Sequence, residues 1–180
     1  MGNIFYNLNV FKVFSGLCAF LGLGFALLGY LSKSKSSILF LQSFCCLFEA
    51  FSFLFLGRFY GFLATIIALI RTIIFWYYEN KGQNPPAFLT FLIIIVLFFS
   101  VSIPKFQVIN LVYFIGVTLL TVAFLFKDVL KTKLVVFIGL LFYILYSFLT
   151  NNYVNAVGLI IQAFVAYIGY SSLKKYNSLN

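Results

Sequence analysis

An acid and a base stand where neither is expected: Glu49 and Arg71 each lie inside a long apolar run. Three amide side chains, Gln42, Asn155 and Gln162, share that setting. A carboxylate and a guanidinium placed so can form an ion pair, relay a proton or hold a charged solute. Amides both donate and accept hydrogen bonds, which suits neutral polar solutes. Enzyme chemistry fits poorly. The chain has 3 acids, Glu49, Glu79 and Asp128, and no histidine, so a general acid–base pair or a metal site is hard to assemble. No catalytic residue, metal or cofactor is expected, and Cys18, Cys45 and Cys46 read as small packing residues within apolar runs.

Spacing places these residues on helical faces. Gln42, Cys45, Glu49 and Ser52 follow one stripe, and Gly57, Gly61, Ala64, Ala68 and Arg71 follow another, in steps of three and four. Small residues on one stripe let a second helix approach closely, so Gly57, Gly61, Ala64 and Ala68 are expected to form a packing seam, with Gly158 in the same role later in the chain. Counted at about 1.5 Å per residue from the cytoplasmic ends of their helices, Glu49 lies about 18 Å deep and Arg71 about 12 Å. The expectation is that the two pair, either as a structural lock or as the lining of a solute path.

The elements that carry these stripes are apolar and long. Runs at about 10–31, 37–56, 59–79, 86–103, 107–126, 132–149 and 153–173 each approach the roughly 20 residues that cross a hydrocarbon core about 30 Å thick. Charged residues make up 8% of the chain, against about 25% in soluble domains, and apolar ones 64%. In lipid a backbone must satisfy its own hydrogen bonds, which helices do within one segment. The expected fold class is all-α: a polytopic membrane protein of seven transmembrane helices in contact with the lipid bilayer. The first run lacks a basic leader and a small-x-small cleavage site, so it is expected to stay in the protein.

Net charge is +9, yet no nucleic acid partner is expected, because the basic residues are scattered through short loops. They orient the chain instead. Lys33, Lys35, Lys81, Lys127, Lys131, Lys133, Lys174 and Lys175 fall on one side, whereas Lys12, Arg58 and Lys105 fall on the other. The positive-inside rule makes the lysine-rich side cytoplasmic, with the N-terminus outside and the C-terminus inside.

Pro85 and Pro86 open the fourth run and Pro104 closes it; Thr90, Ser100 and Ser102 are its polar residues. It reads as a connector at 86–103 between a first repeat at about 10–79 and a second at about 107–173, within one membrane domain over 1–180. Three helices reverse the chain, so one connector lets a second triplet run like the first: a 3+1+3 parallel repeat of the kind described for SWEET-type transporters. A shift of 94 places Gly22 on Gly116, Tyr30-Leu31 on Phe124-Leu125, Lys33 on Lys127 and Leu47-Phe48 on Leu141-Phe142. It also sets Asn151, Asn155, Gly158 and Gln162 on Gly57, Gly61, Ala64 and Ala68, with Val165 in place of Arg71.

The stretch from Leu28 to Arg71 resembles the bacterial inner-membrane YgjV family. The resemblance is carried by Gly29-Tyr30, the basic pair Lys33 and Lys35, Gln42, and Leu56-Gly57-x3-Gly61-x9-Arg71 with Ala68 and Ile70 ahead of the arginine. It implies a multi-pass protein of the bacterial inner membrane, more distantly similar to the SWEET, PQ-loop and PnuC-type transporters. Their substrates do not carry over. Leu41 and Ile161 precede Gln42 and Gln162 where a PQ-loop protein has proline, and Trp76 is the single tryptophan.

Two functions follow. In one, the protein is a transporter or facilitator of a small polar solute, with Gln42, Glu49, Arg71, Asn155 and Gln162 along a path between the repeats. In the other, it is a non-transporting accessory protein of a larger complex. A homo-oligomer is compatible with either. For the orientation, a reporter active only in the cytoplasm is expected to work at the C-terminus and be silent at the N-terminus. Equal signals from both ends would overturn the assignment.

Overall fold

A computed structural model describes residues 2–102 and 108–179, and those residues are helical with short connections and no strand. In chain order the helices are α1 (Gly2–Leu31), α2 (Lys35–Phe55), α3 (Phe59–Asn80), α4 (Ala87–Ser102), α5 (Ile109–Ala123), α6 (Val129–Leu149) and α7 (Tyr153–Leu179). Five contain apolar segments of membrane-crossing length: Val10–Leu31, Lys35–Phe55, Gly61–Asn80, Val129–Leu149 and Asn155–Ser178. Their outward faces carry large apolar side chains. Phe20 is 74% exposed, Phe88 75% and Phe164 64%, a surface suited to acyl chains and costly in water.

Two expected crossings come out shorter. The helices α4 and α5 have 16 and 15 residues, about 22–24 Å of helix against a core of about 30 Å. Pro85 and Pro86 hold back the start of α4. The end of α5 tightens instead: the Leu125 and Phe126 N–H groups turn back to the carbonyls of Val122 and Ala123. The segment 103–107, with Pro104 and Lys105, lies outside the described residues.

Helix ends recur at a fixed offset. Ser34 caps α2 by accepting from the Ser37 N–H, and Asp128, 94 positions later, caps α6 by accepting from the Leu130 N–H. Gly57 and Asn151 follow α2 and α6 with φ of 66° and 56°, the left-handed conformation that glycine and asparagine tolerate best. Around each, the same two bonds close the helix: Arg58 N–H to Phe53 O and Gly57 N–H to Leu54 O, then Asn152 N–H to Ser147 O and Asn151 N–H to Phe148 O. This is the Schellman arrangement, made twice in one register. Gly57 is therefore a turn residue ahead of α3, not the start of a packing seam.

Packing follows the chain. Within the first triplet α1 packs on α2 and α2 on α3; within the second, α5 packs on α6 and α6 on α7. The helix α4 lies more lightly against α3 and α5, and α1 also meets α7. The closest crossings again differ by 94. A Cβ on Gly22 would stand 3.3 Å from the Cys45 carbonyl oxygen, and one on Gly116 would stand 3.2 Å from that of Gly139. Gly116→Val is therefore expected to force α5 and α6 apart and cost about 1–3 kcal/mol. Gly24→Ala, with nothing within 4 Å of the added carbon, should melt no lower than the wild type in the same detergent.

Candidate functional site

The guanidinium of Arg71 crosses between triplets. Arg71 is 3% exposed, and its Nη1 donates to Thr121 Oγ1 on α5 at 3.1 Å. The Thr121 hydroxyl in turn donates a hydrogen bond to the Val117 carbonyl at 2.9 Å. Arg71 also lies 5.5 Å from the centre of the Phe124 ring, within cation–π range. Its Nε has no hydrogen-bond partner, and neither has Thr118 Oγ1, one turn before Thr121. These two are the unsatisfied buried side-chain nitrogen and oxygen atoms among the described residues. Each such vacancy costs about 1–3 kcal/mol, more for a charged group.

Glu49 does not meet Arg71. Its Oε1 accepts from the Cys45 thiol at 3.6 Å, and among the described residues the ion pair is Lys35–Glu79 at 2.7 Å. The cause is helix rotation. Glu49 faces α1, where a Cβ on Gly22 would stand 3.4 Å from its Cγ, whereas Arg71 faces α5. Depth alone matched the pair; azimuth separates it. The Tyr113 ring lies 5.0 Å from that of Tyr143 and 5.1 Å from that of Tyr146.

The amides divide. Gln162 accepts a long bond, 3.5 Å, from the Tyr30 hydroxyl, which ties α7 to the C-terminal end of α1. Gln42 stays half-buried on the α2 stripe with Cys45 and Glu49. Asn155 is exposed and donates to Ser147 Oγ on α6 at 2.8 Å, so it braces the second hairpin away from the other candidates. Of the small residues, Gly61 packs hard on α2, where its added Cβ would stand 2.8 Å from Phe53. Ala64 and Ala68 are half-buried, and Gly158 has nothing within 4 Å.

Two seams join the triplets, and they too are related by the 94-residue offset. On one, Phe75 of α3 meets Phe124 after α5 edge to face, with ring centres 6.5 Å apart. On the other, Gly169 of α7 is pressed so closely to the Tyr30 carbonyl of α1 that a Cβ would overlap it. Lys133, placed by the sequence among the loop charges, is inside α6 and 3% exposed. Its Nζ donates to the Tyr30 carbonyl at 2.8 Å and the Gly169 carbonyl at 3.2 Å. The Tyr30 carbonyl stands at the C-terminus of α1, where a cation is well placed. Beside α3 a half-open apolar groove of about 180 Å³ runs along Ile67, Ile70, Arg71 and Ile74 and along Leu89, Leu92, Ile93 and Val96 of α4.

Sequence reasoning missed Thr118, Thr121 and Lys133 as site or seam residues. The available signal was a pair of threonines three apart in the apolar later half of α5, and a lysine little more than one turn beyond an N-cap.

Apolar helices of crossing length around a few inward polar groups define a multi-pass helical membrane protein. Residues 13–177 match the family model of the bacterial inner membrane protein YgjV. The chain belongs to that family and is a multi-pass protein of the bacterial inner membrane. No curated protein and no solved structure matches it. Lys133→Met, which removes two charge-assisted bonds, is expected to lower unfolding stability by about 1.5–3 kcal/mol. Lys131→Met, at an exposed position, should leave the melting temperature in place.

Proposed function

We propose that this protein passes a small polar solute across the inner membrane along a path between two like-oriented triplets, α1–α3 and α5–α7, joined by α4. One observation carries the reading. Hydrophilic side chains of the two triplets face one another between the helices: Arg71 toward Thr121 and Tyr30 toward Gln162. The repeated caps, turns and crossings at an offset of 94 support the parallel repeat. An accessory protein that only fills a complex has no need for a buried guanidinium Nε and a buried threonine hydroxyl left without partners. The proposed path has Arg71, Thr118, Tyr30 and Gln162 at its centre, with Glu49 and Gln42 on the first triplet and Asn155 toward the far end of the second. With so few acids and no histidine, the protein is read as a non-enzyme.

A solute path is wetted. Thr118→Cys and Gln162→Cys, in a chain with Cys18, Cys45 and Cys46 replaced by alanine, are expected to react with a water-soluble, membrane-impermeant thiol reagent. Exposed Asn152→Cys serves as the positive control. Labelling of the control with none at either inner position would sink the transport reading.

A further inference from the structure

We propose that the lysine-rich end of the bundle holds the phosphate of an anionic phospholipid where the α1–α2 loop meets the end of α7. Named contacts gather the helix ends there. Lys35 of α2 pairs with Glu79 of α3 at 2.7 Å, and the Ser36 hydroxyl donates to Asn80 Oδ1 at 2.7 Å. Lys133 of α6 bonds the Tyr30 carbonyl of α1 and the Gly169 carbonyl of α7. The starts of α2 and α6 and the finishes of α1, α3 and α7 therefore share one end. Lys33, Lys81, Lys127, Lys131, Lys174 and Lys175 are all exposed on it. Glu79 is already taken by Lys35, and Asp128 spends an oxygen on the Leu130 N–H that caps α6. Most of the positive charge is left to be met from outside the chain.

The orientation rule needs lysines only in number; it is their placement that points to a ligand. Lys33 Nζ lies 4.6 Å from the centre of the Tyr176 ring, and Lys174 and Lys175 are the two residues before that tyrosine. One ring thus has a lysine of the first triplet over its face and two of the second beside it in the chain. Lys81 rests on Tyr77 in the same way, at 4.3 Å. A ring face holds an ammonium and leaves N–H donors free for a phosphate oxygen. Tyrosine favours the headgroup level of a bilayer, and basic clusters just outside a span attract anionic headgroups. A headgroup seated on Lys33 and the α7 lysines would join the two triplets at the membrane surface, whatever solute the bundle passes.

Native mass spectrometry of the full chain, released from a neutral detergent, reads the lipid it retains. Dimyristoyl phosphatidylglycerol is expected to stay bound at concentrations at which dimyristoyl phosphatidylcholine is lost. Lys33→Gln, and Lys174→Gln with Lys175→Gln, should weaken that retention by about five-fold for each lysine removed. Lys12→Gln with Arg58→Gln takes the same charge from the opposite end as the second variant and should change nothing. All five positions are exposed, so each variant is expected to melt with the wild type. Equal retention of the two lipids overturns the site. So does equal loss from the two double variants, which would reduce the effect to net charge. Displacement of the lipid by glycerol 3-phosphate at matching concentration would give the site to a free phosphate and overturn the lipid.

Discussion

A hydrocarbon core offers no hydrogen-bond partners, so each polar group that enters it must be satisfied by the protein itself. The helices meet this demand for the backbone, and their hydroxyls meet it locally. Thr65, Thr72 and Thr121 each donate to the carbonyl four residues earlier, as does Ser43. Between helices, Ser15 bonds both the hydroxyl and the carbonyl of Ser52, which ties α1 to α2. Against that near-complete satisfaction, the guanidinium Nε and the Thr118 hydroxyl stand apart. They lie where the two triplets face each other.

Much of the architecture is legible in the sequence because lipid imposes one pattern on every crossing. Apolar length set the helices, and prolines and caps set their ends. The correspondences 94 residues apart were harder to read, since Leu, Ile and Phe exchange freely on a lipid face and identities fade. What survives is role. Ser34 and Asp128 are different residues that cap alike, and Gly57 and Asn151 are different residues that both accept a left-handed backbone. Position-by-position identity scores such pairs as mismatches, although the geometry repeats.

The site was less legible, for a geometric reason. Rise per residue fixes depth along an axis, and that is why Glu49 and Arg71 looked like partners. It says nothing of where a neighbouring helix stands around that axis. Arg71 turned to α5, and Glu49 turned to α1 over Gly22. Asn155 shares a stripe with Gln162, yet it lies close enough to the helix start to serve the α6–α7 hairpin. Lys133 read as a loop charge because nothing in its own neighbourhood names the carbonyls of Tyr30 and Gly169 that hold it.

The two seams between the triplets occupy equivalent places but are built of different material. On the α3 side two rings touch edge to face, a contact that tolerates sliding. On the α7 side backbone presses on backbone beside a lysine bonded to both strands of the contact, which leaves no slack. If one triplet rocks against the other, the motion is hinged at Gly169 and widest at Phe75, so the bundle would open like a door on one post, beside Arg71.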